Sequence, residues 1–247
     1  IGVPASDAEL SITPRIINGN DARPGDWPWH VNLMASTGQL KCGGSLIDWF
    51  WVITAAHCHI TTSDRVLIGW FDVNVSAANN QVLRIVQVFV HPNFNLTMAF
   101  NDLALLKLAS PAHFHHSVSL LPLPSVGVYF RPGTQCKILG LGYLYPNTLF
   151  RPTRLQQATV PLMSVATCKK FWPRINARAM FCAGANGVSF YLGDSGGSVV
   201  CRKKGKWTLV GILSFFDKNK HTRWAFVATR VPTYVPWIQE IMAHNKP

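Results

Sequence analysis

Three short segments carry side chains that could do nucleophilic chemistry together. They are Thr54-Ala55-Ala56-His57-Cys58, Asn101-Asp102-Leu103-Ala104-Leu105-Leu106-Lys107-Leu108 and Gly193-Asp194-Ser195-Gly196-Gly197. A serine hydroxyl is a poor nucleophile near neutral pH and needs a base to take its proton. Histidine titrates close to working pH, so it can accept that proton and later return it. A buried aspartate would hold the imidazole in one tautomer and stabilise the imidazolium. Glycines beside Ser195 permit a tight turn that aims backbone N–H groups at a developing oxyanion. The chemistry would be acyl transfer. His57, Asp102 and Ser195 are far apart in the chain, so only a tertiary fold can bring them together.

The material for such a fold is present. The chain has 247 residues, 48% hydrophobic and 14% charged, enough for a sizeable core in one or two domains. No apolar run approaches the roughly 20 residues that cross a membrane as a helix. The chain begins at Ile1 without a signal-peptide pattern, so a processed form is expected. Six cysteines (Cys42, Cys58, Cys136, Cys168, Cys182 and Cys201) with no CxxC pair favour disulfides over zinc, and an oxidising, extracellular address. The tripeptides Asn74-Val75-Ser76 and Asn95-Leu96-Thr97 are glycosylation acceptors that fit that address. The net charge of +12 suits anionic glycans. The basic residues are scattered apart from Arg202-Lys203-Lys204-Gly205-Lys206 and Lys218-Asn219-Lys220, and no nucleic-acid module is recognisable. His113-Phe114-His115-His116 lacks a further ligand motif, and residues 70–80 lack calcium-binding glutamates, so neither metal nor cofactor is expected.

The elements that would position the three segments read as strands. Short β-branched and aromatic runs recur, among them Trp51-Val52-Ile53, Val66-Leu67-Ile68, Leu83 to Val90, Leu103 to Leu108, Leu209 to Leu213 and Ala225 to Val231. Turn signals between runs include Pro24-Gly25, Pro92-Asn93, Pro132-Gly133 and Pro146-Asn147. One helix is expected, Tyr234 to His244, with Val235, Ile238, Ile241 and Met242 on one face and Pro236 in its first turn. Many short strands and a closing helix point to an all-β architecture of barrels. Residues 1–14 show no sustained periodicity and read as a surface arm.

Taken in order, the three segments resemble the chymotrypsin-like serine protease family, and the likeness covers essentially the whole chain. The opening Gly2-Val3-Pro4-Ala5 and the run from Arg15 to Trp29 are similar to pancreatic chymotrypsinogens. The resemblance implies two six-stranded antiparallel Greek-key β-barrels packed together with a C-terminal helix. It divides the chain into an activation peptide (1–15), an N-terminal barrel with His57 and Asp102 (16–122) and a C-terminal barrel with Ser195 (123–247). It assigns the catalytic triad to His57, Asp102 and Ser195 and the oxyanion donors to Gly193 and Ser195. Bridges Cys42–Cys58, Cys136–Cys201 and Cys168–Cys182 follow from it too. So does activation by a trypsin-like protease at Arg15-Ile16, after which the new ammonium of Ile16 pairs with Asp194. The arm departs from relatives that open on a bridged cysteine, since Ile1 and Pro122 occupy those places. The cleaved arm should therefore leave.

The same resemblance places the substrate pocket at residues 189–192, 214–220 and 225–228. Ser189 stands where trypsin-like members have aspartate, so no charge awaits Lys or Arg. Phe216 and Phe226 replace two wall glycines, Phe190 replaces a small residue, and Phe215 replaces a tryptophan after Ser214. Tyr191 and Lys220 take the places of a bridging cysteine pair, and Leu192 ends the first wall. Two added benzyl groups should fill the slot and leave it narrowed, admitting small side chains or none. The expectation is a secreted, monomeric serine endopeptidase made as a zymogen, acting on proteins or peptides and open to protein inhibitors. A rival reading is a weak or inactive protease homologue that binds a glycan, a membrane surface or a protein. A structural or nutrient protein would explain none of these residues.

Overall fold

The computed structural model describes residues 16–72, 80–142 and 153–246. Its strands in chain order are β1 (Asn20–Asp21), β2 (His30–Met34), β3 (Leu40–Asp48), β4 (Trp51–Thr54), β5 (Arg65–Ile68), β6 (Gln81–Val90) and β7 (Ala104–Leu108). They continue as β8 (Gln135–Gly140), β9 (Gln156–Pro161), β10 (Met180–Gly184), β11 (Ser198–Lys203), β12 (Lys206–Phe215) and β13 (Ala225–Arg230). The helices are α1 (Val165–Phe171) and α2 (Val231–His244).

These segments form strands because their β-branched and aromatic side chains pack well on a pleated surface. All four residues of β4 are buried, whereas β6 buries Ile85 and exposes Val82, Val86 and Val90. In the first half, β2, β3, β4, β7, β6 and β5 close into an antiparallel barrel. Closure removes the free sheet edges that would otherwise invite pairing with other chains. In the second half the strand order is β1-β9-β8-β11-β12-β13-β10. This sheet curls until its far strands meet, through the Leu162↔Ala183 bridge and the hydrogen bond from Met163 N–H to the Cys182 carbonyl at 3.0 Å. The second barrel thus has six main strands, and the two-residue β1 is an addition to it. One apolar cluster runs from Val31, Leu33 and Leu106 to Leu209, Ile212 and Val227, so the two barrels share buried surface.

Two features differ from the sequence expectation. The final helix starts at Val231, so Pro236 lies inside it rather than in its first turn, where Pro232 stands instead. A second helix, α1, was not expected. Its seven residues are too few for a periodic signal, and it rests on a Ser164 side chain that caps Thr167 N–H at 3.1 Å.

Three disulfides join Cys42 to Cys58, Cys136 to Cys201 and Cys168 to Cys182. The first ties β3 to the turn that carries His57. The second links directly opposed residues of β8 and β11. The third fastens α1 to β10. Replacing both Cys136 and Cys201 by alanine opens a bridge with a sequence separation of 65 residues. The expected outcome is a loss of about 2–5 kcal/mol in equilibrium urea unfolding under non-reducing conditions.

Candidate active site

The short 3-10 turn Ala56–Cys58 follows β4 directly and presents His57 half-buried. Asp102 sits two residues before β7, the strand paired with β4, so the two side chains are brought together by that pairing. The Asp102 carboxylate is fully buried. Its Oδ1 accepts the His57 backbone N–H at 2.9 Å and its Oδ2 lies 2.7 Å from His57 Nδ1. Ser214 Oγ, from β12, also donates to Oδ2. Burial alone would raise the Asp102 pKa. The hydrogen bonds from the His57 ring, Ser214 and the His57 backbone, with the imidazolium charge, overcome that and hold it below the usual carboxylate value.

Ser195 belongs to the turn leading into β11. Its carbonyl accepts Gly43 N–H at 2.9 Å and lies 3.8 Å from Cys58 Sγ, on the residue next to His57. The segment is anchored to β12 by Gly196 N–H to Leu213 O and Leu213 N–H to Gly197 O, both at 2.9 Å. Gly193 has φ +96°, a conformation that other residues adopt only with strain. A side chain at Gly196 would run into Thr54 Oγ1 and the Gly43 carbonyl, so the serine turn can press against the first barrel only with glycine there.

Asp194 is a second, fully buried carboxylate with a different environment. Its Oδ1 accepts Gly142 N–H at 2.6 Å and its Oδ2 accepts Tyr191 N–H at 2.9 Å. Burial pushes its pKa up to about 7, against the pull of those two backbone donors. Ile16 is buried, and Ile17 pairs with Ser189, five residues before Asp194.

The residues expected around a substrate pocket separate into two groups. Ser189, Phe190 and Phe226 are fully buried, and Ser189 Oγ donates to the Phe190 carbonyl at 3.2 Å. Phe190 meets Phe216 and Phe226 edge-on, with ring centroids 5.0 and 5.3 Å apart, and Tyr191 lies 5.4 Å from Phe216. Leu192 is exposed. Phe215 turns elsewhere, edge-on to Trp172 at 4.9 Å. There it lines a groove of about 530 Å³ with Leu96 to Phe100 and Trp172 to Ile175.

Other expected residues fall as follows. Asn95 is exposed, and its Oδ1 accepts Met98 N–H at 3.0 Å. Arg15, Asn74, Pro146-Asn147 and the arm lie outside the described residues. Sequence reasoning missed three supports of the site. Thr229 Oγ1 donates to the Asp102 carbonyl at 2.9 Å, Tyr234 O–H donates to Asn101 Oδ1 at 2.7 Å, and Gly43 N–H holds Ser195. Burial and the Asp102 charge push the Tyr234 pKa up to about 12, which keeps its proton for that bond. No local pattern announces these contacts, because each is made across barrels or from the final helix.

A buried aspartate is bonded to a histidine, and Ser195 is held in a glycine-rich turn against the first barrel, on a fold of two β-barrels. A family model described as Trypsin matches residues 16–238. The chain belongs to this family, the trypsin-fold serine proteases.

The Asp194 environment gives a pH signature in the uncleaved chain. The folded state keeps the Asp194 proton up to about pH 7, whereas an unfolded aspartate releases it near 3.8. Between those values the folded state binds more protons, so stability falls as pH rises, by about 4 kcal/mol at most. Asp102 acts in the opposite sense and below this window, since its depressed pKa costs stability only on further acidification. Buried His30, whose pKa burial lowers to about 4, acts in the opposite sense over part of the same window. The Asp194 contribution is therefore read by difference: between pH 4.5 and 7.5 in urea unfolding, the wild type should lose stability relative to Asp194→Asn.

Proposed function

We propose that the chain is a secreted serine endopeptidase zymogen that hydrolyses peptide bonds through an acyl-enzyme. In this reading Ser195 attacks the carbonyl, His57 takes its proton and returns it to the leaving amine, and Asp102 orients His57. The N–H groups of Gly193 and Ser195 receive the oxyanion. The observation that carries the reading is the buried Asp102 carboxylate shared by His57 and Ser214, on a chain of the trypsin family. The barrels divide near Pro122, and protein or peptide substrates cross the face between them.

Cleavage between Arg15 and Ile16 frees an α-ammonium that pairs with Asp194. Two features support this. Asp194 is buried among backbone donors, with its pKa raised toward neutrality. Ile17 is also already paired to Ser189. The cation would hold Asp194 ionised and fix the adjacent Gly193 turn. After limited digestion with a trypsin-like protease, a new N-terminus at Ile16 and fluorophosphonate labelling of Ser195 are expected by sequencing and mass spectrometry. Unlabelled Ser195 in the cleaved protein would sink the enzyme reading.

The pocket beside Ser195 is narrowed by Phe190, Phe216 and Phe226, so turnover falls after small residues such as Ala, Val or Ser. The buried rings and their edge-on contacts support this. They also favour a second reading, a homologue that binds without cutting. Labelling without turnover of any peptide in a library would select that one. For the peptidase, Phe216→Gly with Phe226→Gly should raise kcat/KM after Phe or Tyr relative to Ala by about tenfold or more. The same change should cost roughly 3–5 kcal/mol of stability for the fully buried ring.

A further inference from the structure

The charge of this chain is segregated along it. Residues 123–247 hold 17 Lys and Arg against 3 Asp and Glu, a net of +14. Residues 16–122 hold 5 against 6, a net of −1. The basic half has little to neutralise it. Asp194 is buried, and Asp217 Oδ1 accepts the backbone N–H groups of Asn219 and Lys220. Glu240, in α2, is the third acid.

The densest point is the turn between β11 and β12. Arg202, Lys203, Lys204 and Lys206 are all exposed there, and among the described residues none pairs with a carboxylate. Register sets Lys203 opposite Lys206, a like-charge pair that opposes the hairpin it sits in. Lys204 and Gly205 have φ +51° and +78°. Such a two-residue turn favours Asn, Asp or Gly at both places, so lysine is the costlier choice at 204. Two cations are braced by rings. The Arg202 guanidinium lies 4.7 Å over Trp207, which packs edge-on against Trp27 at 5.1 Å. The Lys203 ammonium lies 5.7 Å from the Phe130 ring. A turn that pays in repulsion and in backbone strain to present four unpaired cations is built for an anion.

We propose that this turn binds a linear sulfated polysaccharide, whose sulfates pair with Arg202, Lys203, Lys204 and Lys206. Residues 202–206 offer no apolar side chain to enter a lipid surface. Trp207 and Phe130 each already carry a cation over one face, Arg202 and Lys203, so the faces that look toward the turn are not free to stack a nucleobase. Three of the four cations are lysines, point charges that suit anions on a flexible chain without planar demands. β11 runs from Ser198 to Lys203, so the turn stands roughly 20 Å from Ser195, and a bound polysaccharide leaves that face open. The proposal rests on this surface alone, independently of whether Ser195 is an active nucleophile.

The test is calorimetric titration of the whole disulfide-bonded protein with a heparin octasaccharide across a NaCl series. In R202Q/K203Q/K204Q/K206Q, Kd at 0.1 M NaCl should rise about 30-fold or more, with a salt slope shallower by about 3. The control K169Q/K170Q/R174Q/R178Q removes the same charge at α1 and beyond, and should change Kd by less than about threefold if location matters. Equal losses in the two variants would reduce the effect to overall charge and overturn the site. Equal binding of a fully desulfated chain would overturn the sulfate pairing. Tighter binding of a DNA duplex or of phosphatidylserine vesicles would overturn the choice of partner. K203Q/K204Q is the milder variant to read if the quadruple one misfolds, with a rise of about fivefold expected.

Discussion

A carboxylate with no solvent exposure must have its oxygens used or lose its charge. Asp102 meets the first condition by drawing donors from both halves of the molecule. His57 supplies its backbone N–H and its ring from the turn after β4, and Ser214 supplies its hydroxyl from β12. Thr229 of β13 holds the Asp102 carbonyl, and Tyr234 of α2 holds the neighbouring Asn101. The placement of one barrel against the other is therefore set where the reaction would occur. Withdrawing β12 would leave a buried acceptor short of a donor, at a cost of about 1–3 kcal/mol. The stability of the interface and the orientation of His57 rest on the same carboxylate.

Asp194 shows how far neighbours decide what a buried aspartate does. It is as buried as Asp102, yet among the described residues only backbone N–H groups bond to it, and its pKa moves up rather than down. One carboxylate has a partner able to carry positive charge and stays ionised. The other sits beside Gly193 and Ser195 with its charge half-supported. A cation delivered there acts directly on the turn that would form the oxyanion site. In the proposed mechanism the contrast would divide the work between two aspartates, one fixing the base and one available for control.

The parts of this design legible in the sequence are those written in local residue types. The glycine-flanked serine, the histidine beside a cysteine and the aspartate before an apolar strand each announce a role. The β-branched runs announce the strands that carry them. The link from Ser214 to Asp102 spans 112 residues, and no spacing rule reports it. α1 escaped notice because seven residues, capped by Ser164 and stapled by Cys168 to Cys182, need no periodicity to be helical. The start of α2 was hidden by Pro232 and Pro236 together, since one proline suggests a first turn and two leave its place ambiguous. The family resemblance places Phe215 on the pocket wall. The register shift in the β12–β13 pairing between Leu213 and Phe215 sends it to the Trp172 groove instead.

If the aromatic cluster of Phe190, Phe216 and Phe226 walls the substrate pocket, as proposed, it would tie specificity to stability. Phe190 and Phe226 are fully buried and meet edge-on, and Phe216 adds a third ring against Phe190. Each buried ring stabilises the fold by roughly 1.5–3 kcal/mol, and each edge-on pair adds about 0.5–1.5 kcal/mol. Beneath them the Ser189 hydroxyl is already bonded to the Phe190 carbonyl, so that hydroxyl does not need a substrate to satisfy it. A large side chain entering here would have to displace ring–ring contacts before making its own. The segments 189–192 and 214–216, which flank Ser195 and Asp102, are held partly by those same contacts. On the proposed reading, widening the pocket would therefore loosen these segments, and a small side chain would be the occupant that asks least of them.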